Sequence, residues 1–328
     1  RNAALDALDK GIALGSGGSR LLRGNSPAHE ELESAARLFF GSEAAIFLGS
    51  GFSANSLLLS TLPQSSDLIL HDSLSHASTH EGMRLSRAPH QAFAHNDADA
   101  AADAIARWRS HGGRGTPWLA FETLYSMDGD FAPVADFAAL AKREGAVMLI
   151  DEAHATGVFG PSGRGLAADL HGQENAITLV TCGKALGCEG ALVLCPAVVK
   201  DFLINRGRNF IFSTAPSPLM ATVVREALTL VAAADDRRGR IQALIAAARS
   251  ALSTLGLGAS PSQIQPILIG DDARTMEIAT KLQDRGFDIR GIRPPTVPAG
   301  TARLRMSITL NIDEAAIADL VQALGELF

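Results

Sequence analysis

Six short apolar runs limit most strongly how this chain can fold: AAIFL at 44–48, DLILHD at 67–72, PWLAFETL at 117–124, AVMLID at 146–151, ITLVTCG at 177–183 and GALVLC at 190–195. Each is too short for a buried helix and carries no regular polar face, so as a strand it has to be covered on both sides. Between the runs lie stretches of helical spacing, such as NSLLLSTL after a glycine turn, SHASTHEGMRL, and FAPVADFAALAKREG with glycine at its end. Strands that alternate with helices build a largely parallel sheet with helices on both faces. The rhythm breaks at PSPLMATVVREALTLVAAADDRRGRIQALIAAARSAL, a long helical stretch that reads as a connector. Beyond it QIQPILIG, FDIRGIR and ARLRMSIT, with helical spacing between and after them, predict a smaller α/β unit. We place the division at 1–235 and 236–328.

Bulk properties remove several function classes. A net charge of -6 and a pI near 5.9 do not suit a surface that tracks phosphate backbones, so no nucleic-acid partner is expected. The apolar runs fall far short of the roughly 20 residues that span a bilayer. No basic start leads into an apolar signal core, and a cytoplasmic protein without a membrane partner is expected. Cys182, Cys188 and Cys195 lack metal-knuckle spacing and are odd in number, so they read as small buried hydrophobes. The chain opens on Arg1 in a helical pattern, which leads us to expect a processed or missing N-terminal segment.

Three motifs compete for the chemistry. Gly49-Ser50-Gly51-Phe52-Ser53-Ala54 fits the loose G-x-G-x-x-G/A pattern between a strand and a helix, with Asp72 at the end of the next strand, where a dinucleotide fold holds a ribose. On those residues alone a nicotinamide-dependent dehydrogenase is an alternative. The physical content is narrower: backbone N–H groups at a helix start hold a phosphate of any kind. Asp151-Glu152-Ala153-His154 spells a DEAH box, but no G-x-x-x-x-G-K-[ST] loop precedes it. Lys184 stands in a glycine-flanked turn, GKALG, suited to an amine that loses its proton and forms an imine.

Pyridoxal phosphate would use all of these regions together. It needs a lysine, a carboxylate at its pyridine nitrogen, groups at its phenolic oxygen, an anion site and a flat group against its ring. Lys184, Asp151, His154 and His76 can supply the first, second, third and last. His76 and His80, four apart beside Glu81, also have the spacing of two metal ligands on a helix. No third ligand matches that pattern, so we expect no metal.

HASTHE, YSMDGD, IDEAHATGVFG, TCGKALG and IRPPTVPAGTARLR, in this order, resemble the α-oxoamine synthases, and the likeness runs from GSGGSRLLRGNSPAHEELE to the last helix. The resemblance implies an aspartate-aminotransferase-like fold, PLP-dependent transferase fold type I, with a mostly parallel seven-stranded large domain and a small C-terminal α/β domain. It implies pyridoxal 5'-phosphate as cofactor, a homodimer with a shared active site, and condensation of an amino acid with an acyl thioester with loss of CO2. The tail IRPPTVPAGTARLR resembles the members that take L-alanine and a pimeloyl thioester for biotin synthesis, the thioester being carried by coenzyme A or by an acyl carrier protein.

Carried over residue by residue, Lys184 matches the Schiff-base lysine, Asp151 the partner of the pyridine nitrogen, and His76 the histidine stacked on the ring. His154 and Ser126 match groups near the phenolic oxygen. Gly51 and Phe52 match the turn beside the phosphate, and Thr181 a further phosphate ligand. Ser213 and Thr214 resemble phosphate contacts from the neighbouring subunit. Arg293 matches the arginine that grips the amino acid carboxylate, and Thr296 a nearby substrate contact. Two positions depart from the pattern: Glu189 stands where a small residue is usual, and Cys182 where phenylalanine is common.

Overall fold

The structure, a computed structural model, describes residues 1–328. It divides into two compact units, Arg1–Thr123 with Ala132–Ala234, and Leu124–Phe131 with Asp235–Phe328.

The first unit is built on a seven-stranded sheet of β1 (Ala44–Leu48), β2 (Leu68–Asp72), β3 (His90–Phe93), β4 (Pro117–Glu122), β5 (Val147–Asp151), β6 (Ala176–Thr181) and β7 (Ala191–Cys195). The order is β1-β7-β6-β5-β4-β2-β3, with every neighbouring pair parallel except β6–β7 and β7–β1. The strands are apolar throughout because both faces are covered. Ile46 and Leu48 pack with Leu57, Leu58, Met83 and Val193 on one face. Ala45 and Phe47 pack with Leu32, Phe40, Leu192 and Val224 on the other. Strand β3 escapes the apolar pattern because it is the edge strand: only Phe93 of its four residues is buried. Cys182 and Cys195 lie in these cores as expected, and burial pushes both thiols up to about 12.

In the second unit β8 (Ile264–Gly270), β10 (Ala302–Ser307) and β9 (Arg290–Ile292) form an antiparallel sheet in that order. Segment 124–131 belongs to this unit. Arg305 donates from Nε to the Ser126 carbonyl at 2.6 Å, and Arg303 pairs with the Asp128 carboxylate. The stretch expected to be one connector is two helices, Pro218–Ala232 and Asp235–Thr254. The second starts on Asp235 and Asp236, acids that suit the positive end of a helix. No helix is long and apolar enough to cross a membrane.

Candidate active site

Most candidate residues of the first unit, Ser213 and Thr214 excepted, gather at one end of its sheet. Thr181, at the end of β6, Ala191, at the start of β7, and Leu48, at the end of β1, lie in register. Glu122 and Asp151, the last residues of β4 and β5, are register partners. In open α/β sheets this carboxyl end of the parallel strands is where loops and helix starts can surround a ligand.

Asp151 is held from two sides. Its Oδ1 accepts from the Ala153 backbone N–H at 2.9 Å, and its Oδ2 accepts from Asn55 Nδ2 at 2.9 Å. Asn55 is buried in the Gly51–Thr61 helix, and the same amide nitrogen donates to Ser78 Oγ at 2.9 Å. A carboxylate fixed in this way keeps its direction without side-chain freedom, and each oxygen retains acceptor capacity for a further donor.

Lys184 sits in the loop between β6 and β7. The Cys182 N–H donates to Gly190 O at 2.9 Å and the Cys188 N–H to Cys182 O at 2.9 Å, while the Gly187 N–H closes a turn onto Lys184 O at 3.0 Å. Its Nζ lies 2.9 Å from His154 Nε2, in hydrogen-bond contact. Gly157 allows this approach: at φ +85, it lies where an added Cβ would stand 2.7 Å from the Ala185 Cβ. The loop after β5 therefore presses directly on the lysine turn, which brings His154 to Lys184. Glu189, which breaks the family pattern, is exposed in this loop.

His76 caps the Ala77–Leu85 helix, and does not sit within it as the spacing with His80 suggested. Its backbone N–H donates to Glu122 Oε1 at 2.7 Å, and its Nδ1 lies 2.8 Å from Ser78 Oγ. Burial lowers its pKa first; Asp151 then raises it and Lys184 lowers it. His76, Asp151 and Lys184 thus share one electrostatic neighbourhood. His80 stacks edgewise on His71 at 5.1 Å between ring centroids.

Glu122 lies inside the run PWLAFETL, to which the sequence assigns no role beyond a strand, yet it stands beside Asp151 at the site. Burial, and next the charge of Asp151, push its carboxyl from 4.5 to about 8. Beside Asp151, Glu122 is thereby held in its neutral form up to about pH 8. The folded chain holds this proton where the unfolded chain has released it, so the associated stability is full at acid pH and is lost as pH rises towards 8. Glu122→Gln, which keeps the acceptor for the His76 N–H, is expected to gain in melting temperature over the parent between about pH 5 and about pH 8. A difference that stays flat across that range would show that Glu122 is already ionised. Part of the remaining slope belongs to Glu152, fully buried and raised to about 7 chiefly by that burial.

The glycine turn carries a phosphate-type helix start. Ser50 caps the Gly51–Thr61 helix, its Oγ accepting the Ser53 N–H at 3.1 Å. A Cβ on Gly51 would stand 2.6 Å from Thr181 Cγ2, so the backbone approaches Thr181 as a side chain would not allow. Phe52 is 51% exposed beside it. Asp72, the ribose ligand of the dehydrogenase alternative, turns inward: its carboxylate is fully buried and accepts from His95 Nδ1, the Asn96 N–H and the Leu74 N–H at 2.9, 2.8 and 2.8 Å. The residues that alternative needs are therefore split between a free helix start and an aspartate committed to its own loop.

The remaining candidates lie elsewhere. Ser213 and Thr214 are exposed in the loop before the Pro218–Ala232 helix. Ser126, Arg293 and Thr296 belong to the second unit, where the Thr296 N–H closes a turn onto Arg293 O at 3.1 Å and both side chains of that turn are exposed. Asn55, Ser78 and Glu122 were absent from the sequence-based candidates. Only strand register and helix packing reveal them, since Asn55 and Asp151 are 96 residues apart.

A lysine on a strand-end turn, a doubly held aspartate on the neighbouring strand, a histidine-capped helix and a tightly backed glycine turn together fit pyridoxal phosphate and its demands. The chain belongs to the family of class I and II aminotransferases, whose profile matches residues 2–324. Within it, the 8-amino-7-oxononanoate synthase of Cronobacter sakazakii is 40% identical over 313 residues, which are 95% of this chain and 80% of that protein. The enzyme of the same name from Geobacter sulfurreducens is 39% identical over 332 residues, 100% of this chain and 84% of that one. Among solved structures, a serine palmitoyltransferase variant from S. paucimobilis with PLP and myriocin bound superposes with a TM-score of 0.93 at 28% identity, covering 99% of this chain and 82% of that chain. The 8-amino-7-oxononanoate synthase of Francisella tularensis shares the fold, with a TM-score of 0.82 at 24% identity over 99% of this chain and 92% of its own.

Proposed function

We propose that this chain is a pyridoxal 5'-phosphate-dependent acyltransferase that condenses L-alanine with a pimeloyl thioester, giving 8-amino-7-oxononanoate, CO2 and a free thiol. The observation that carries the chemistry is the pairing of Lys184 Nζ with His154 Nε2 beside the doubly held Asp151. The likeness to 8-amino-7-oxononanoate synthases along nearly the whole chain supports the choice of substrates. When bound, the cofactor supplies an electron sink for charge left on the amino acid Cα.

The chain's own residues divide the remaining work. Asp151, as an anion, holds a proton on the ring nitrogen and keeps the ring electron-withdrawing. Gly51, Phe52 and Thr181 border the phosphate, with Ser213 and Thr214 serving the partner site of a homodimer. His154 and Ser126 serve the phenolic oxygen. Arg293 grips the alanine carboxylate through two parallel hydrogen bonds, with Thr296 beside it. Lys184 removes the proton from the alanine Cα as general base. His76, against the ring, places a donor at the thioester oxygen as charge grows there.

The test is an assay of thiol and CO2 release from pimeloyl-coenzyme A with alanine, glycine and serine in turn, and again with the acyl group on a carrier protein. Alanine is expected to lead in kcat/KM by roughly 10- to 100-fold, the scale of discrimination for one small group in a fitted pocket. A preference for glycine or serine would overturn the substrate assignment.

A further inference from the structure

Hydrogen-bond directions around His76 define a property that the residue's identity does not. A backbone N–H can only donate, and that of Ser78 lies 3.2 Å from His76 Nδ1 as the helix cap. Nδ1 must therefore present a bare lone pair. The Ser78 hydroxyl, 2.8 Å from the same nitrogen, has to donate to that bare lone pair, while its oxygen accepts from Asn55 Nδ2 at 2.9 Å. The Asn55 amide is itself oriented: its nitrogen faces Asp151 Oδ2 at 2.9 Å, and a flipped amide would set oxygen against carboxylate oxygen. The chain of donors thus runs one way, from Asn55 to Asp151 on one side, and from Asn55 through Ser78 to His76 on the other. Asn55 is 8% exposed and Ser78 1%, so water does not compete for these groups.

We infer that Asn55 and Ser78 lock His76 as the neutral tautomer protonated on Nε2, so that it works as a hydrogen-bond donor and not as a base. The imidazolium would need a proton on Nδ1, directly against the Ser78 N–H. The other groups that act on this ring are Glu122, which accepts its backbone N–H, Asp151 and Lys184, with His80 one helical turn on. Asn55 and Ser78 are positioning residues: they act through His76, by setting which of its nitrogens bears the proton. The tautomer itself is a property of the chain alone. Its use at the thioester oxygen rests on the function proposed above.

Ring-nitrogen NMR on the cofactor-free protein with 15N-labelled histidine, with His76→Gln assigning the signal, tests the lock directly. The expected result is one neutral ring, protonated on Nε2, from about pH 8 to about pH 6, a range in which an unconstrained histidine becomes charged. A proton on Nδ1, or an imidazolium at neutral pH, would overturn the inference whatever the enzyme does. In the loaded enzyme, Ser78→Ala removes a donor that favours the neutral ring. It is expected to move the acid limb of kcat to higher pH by up to about one unit. It is also expected to lower kcat roughly fivefold with the KM for alanine within about twofold. A Ser78→Ala variant that loses melting temperature but keeps the parent's acid limb has lost packing alone, and contradicts the relay. Absence of condensation activity together with an Nε2-protonated His76 would refute the proposed function and leave the lock standing.

Discussion

Lys184→Ala is expected to leave a folded protein that no longer retains pyridoxal phosphate through gel filtration and whose condensation rate is lower by about 10⁴-fold or more. The size of the effect follows from two roles on one nitrogen, cofactor anchor and base at the alanine Cα. Lys184 Nζ is the amine that the structure sets against His154 Nε2. Folding should survive because the Lys184 side chain is exposed and the turn that carries it is closed by backbone bonds from Cys182 to Gly190. Melting temperature should shift by no more than a few degrees, the scale of a surface change. Lys184→Arg should be as inactive, because a guanidinium does not give up its proton at working pH. A Lys184→Ala protein with a tenth of the parent rate would mean that another group performs the proton transfer.

Asp151→Asn ranks next, with an expected loss of roughly 10²- to 10³-fold in kcat. Asparagine cannot supply the negative charge that keeps a proton on the ring nitrogen. It also fits the local bonds poorly. Both oxygens of Asp151 accept, from the Ala153 N–H and from Asn55 Nδ2, so an amide nitrogen in either place meets another donor. An unsatisfied pair of this kind costs about 1–3 kcal/mol, which should appear as a lower melting temperature besides the kinetic loss. The variant also removes the second-largest cause of the high Glu122 pKa, the charge of Asp151, while burial, the largest cause, remains. If Asp151→Asn kept more than half of the parent kcat, the account of the ring nitrogen would be wrong.

The legible part of this molecule was the part whose signal is local. β1, β2, β4, β5, β6 and β7 announce themselves because strands covered on both faces are apolar at every position. β3 does not, because three of the residues in His90–Phe93 face solvent at the sheet edge. In the site, Lys184 was legible from its glycine turn and Asp151 from its place at the end of an apolar run. The hydrogen-bond chain through Asn55 and Ser78 was not, since it depends on how the Gly51–Thr61 and Ala77–Leu85 helices pack at the end of β5. Glu122 was hidden for the same reason: its neighbour Asp151 is set by register, and a carboxyl within PWLAFETL gives no sign of it. Asp72 shows the opposite failure. Its sequence position fits a ribose ligand, and only the bonds from His95, Asn96 and Leu74 reveal an internal clamp.

Borohydride reduction of the purified, cofactor-loaded protein followed by peptide mapping tests the central claim most directly. Reduction turns an imine between lysine and pyridoxal phosphate into a stable secondary amine, which marks the lysine that made it. The account predicts a single modified peptide, carrying the phosphopyridoxyl group on Lys184. Unmodified Lys184 in a protein that binds the cofactor, or the group found on Lys142 or Lys200 instead, would contradict it.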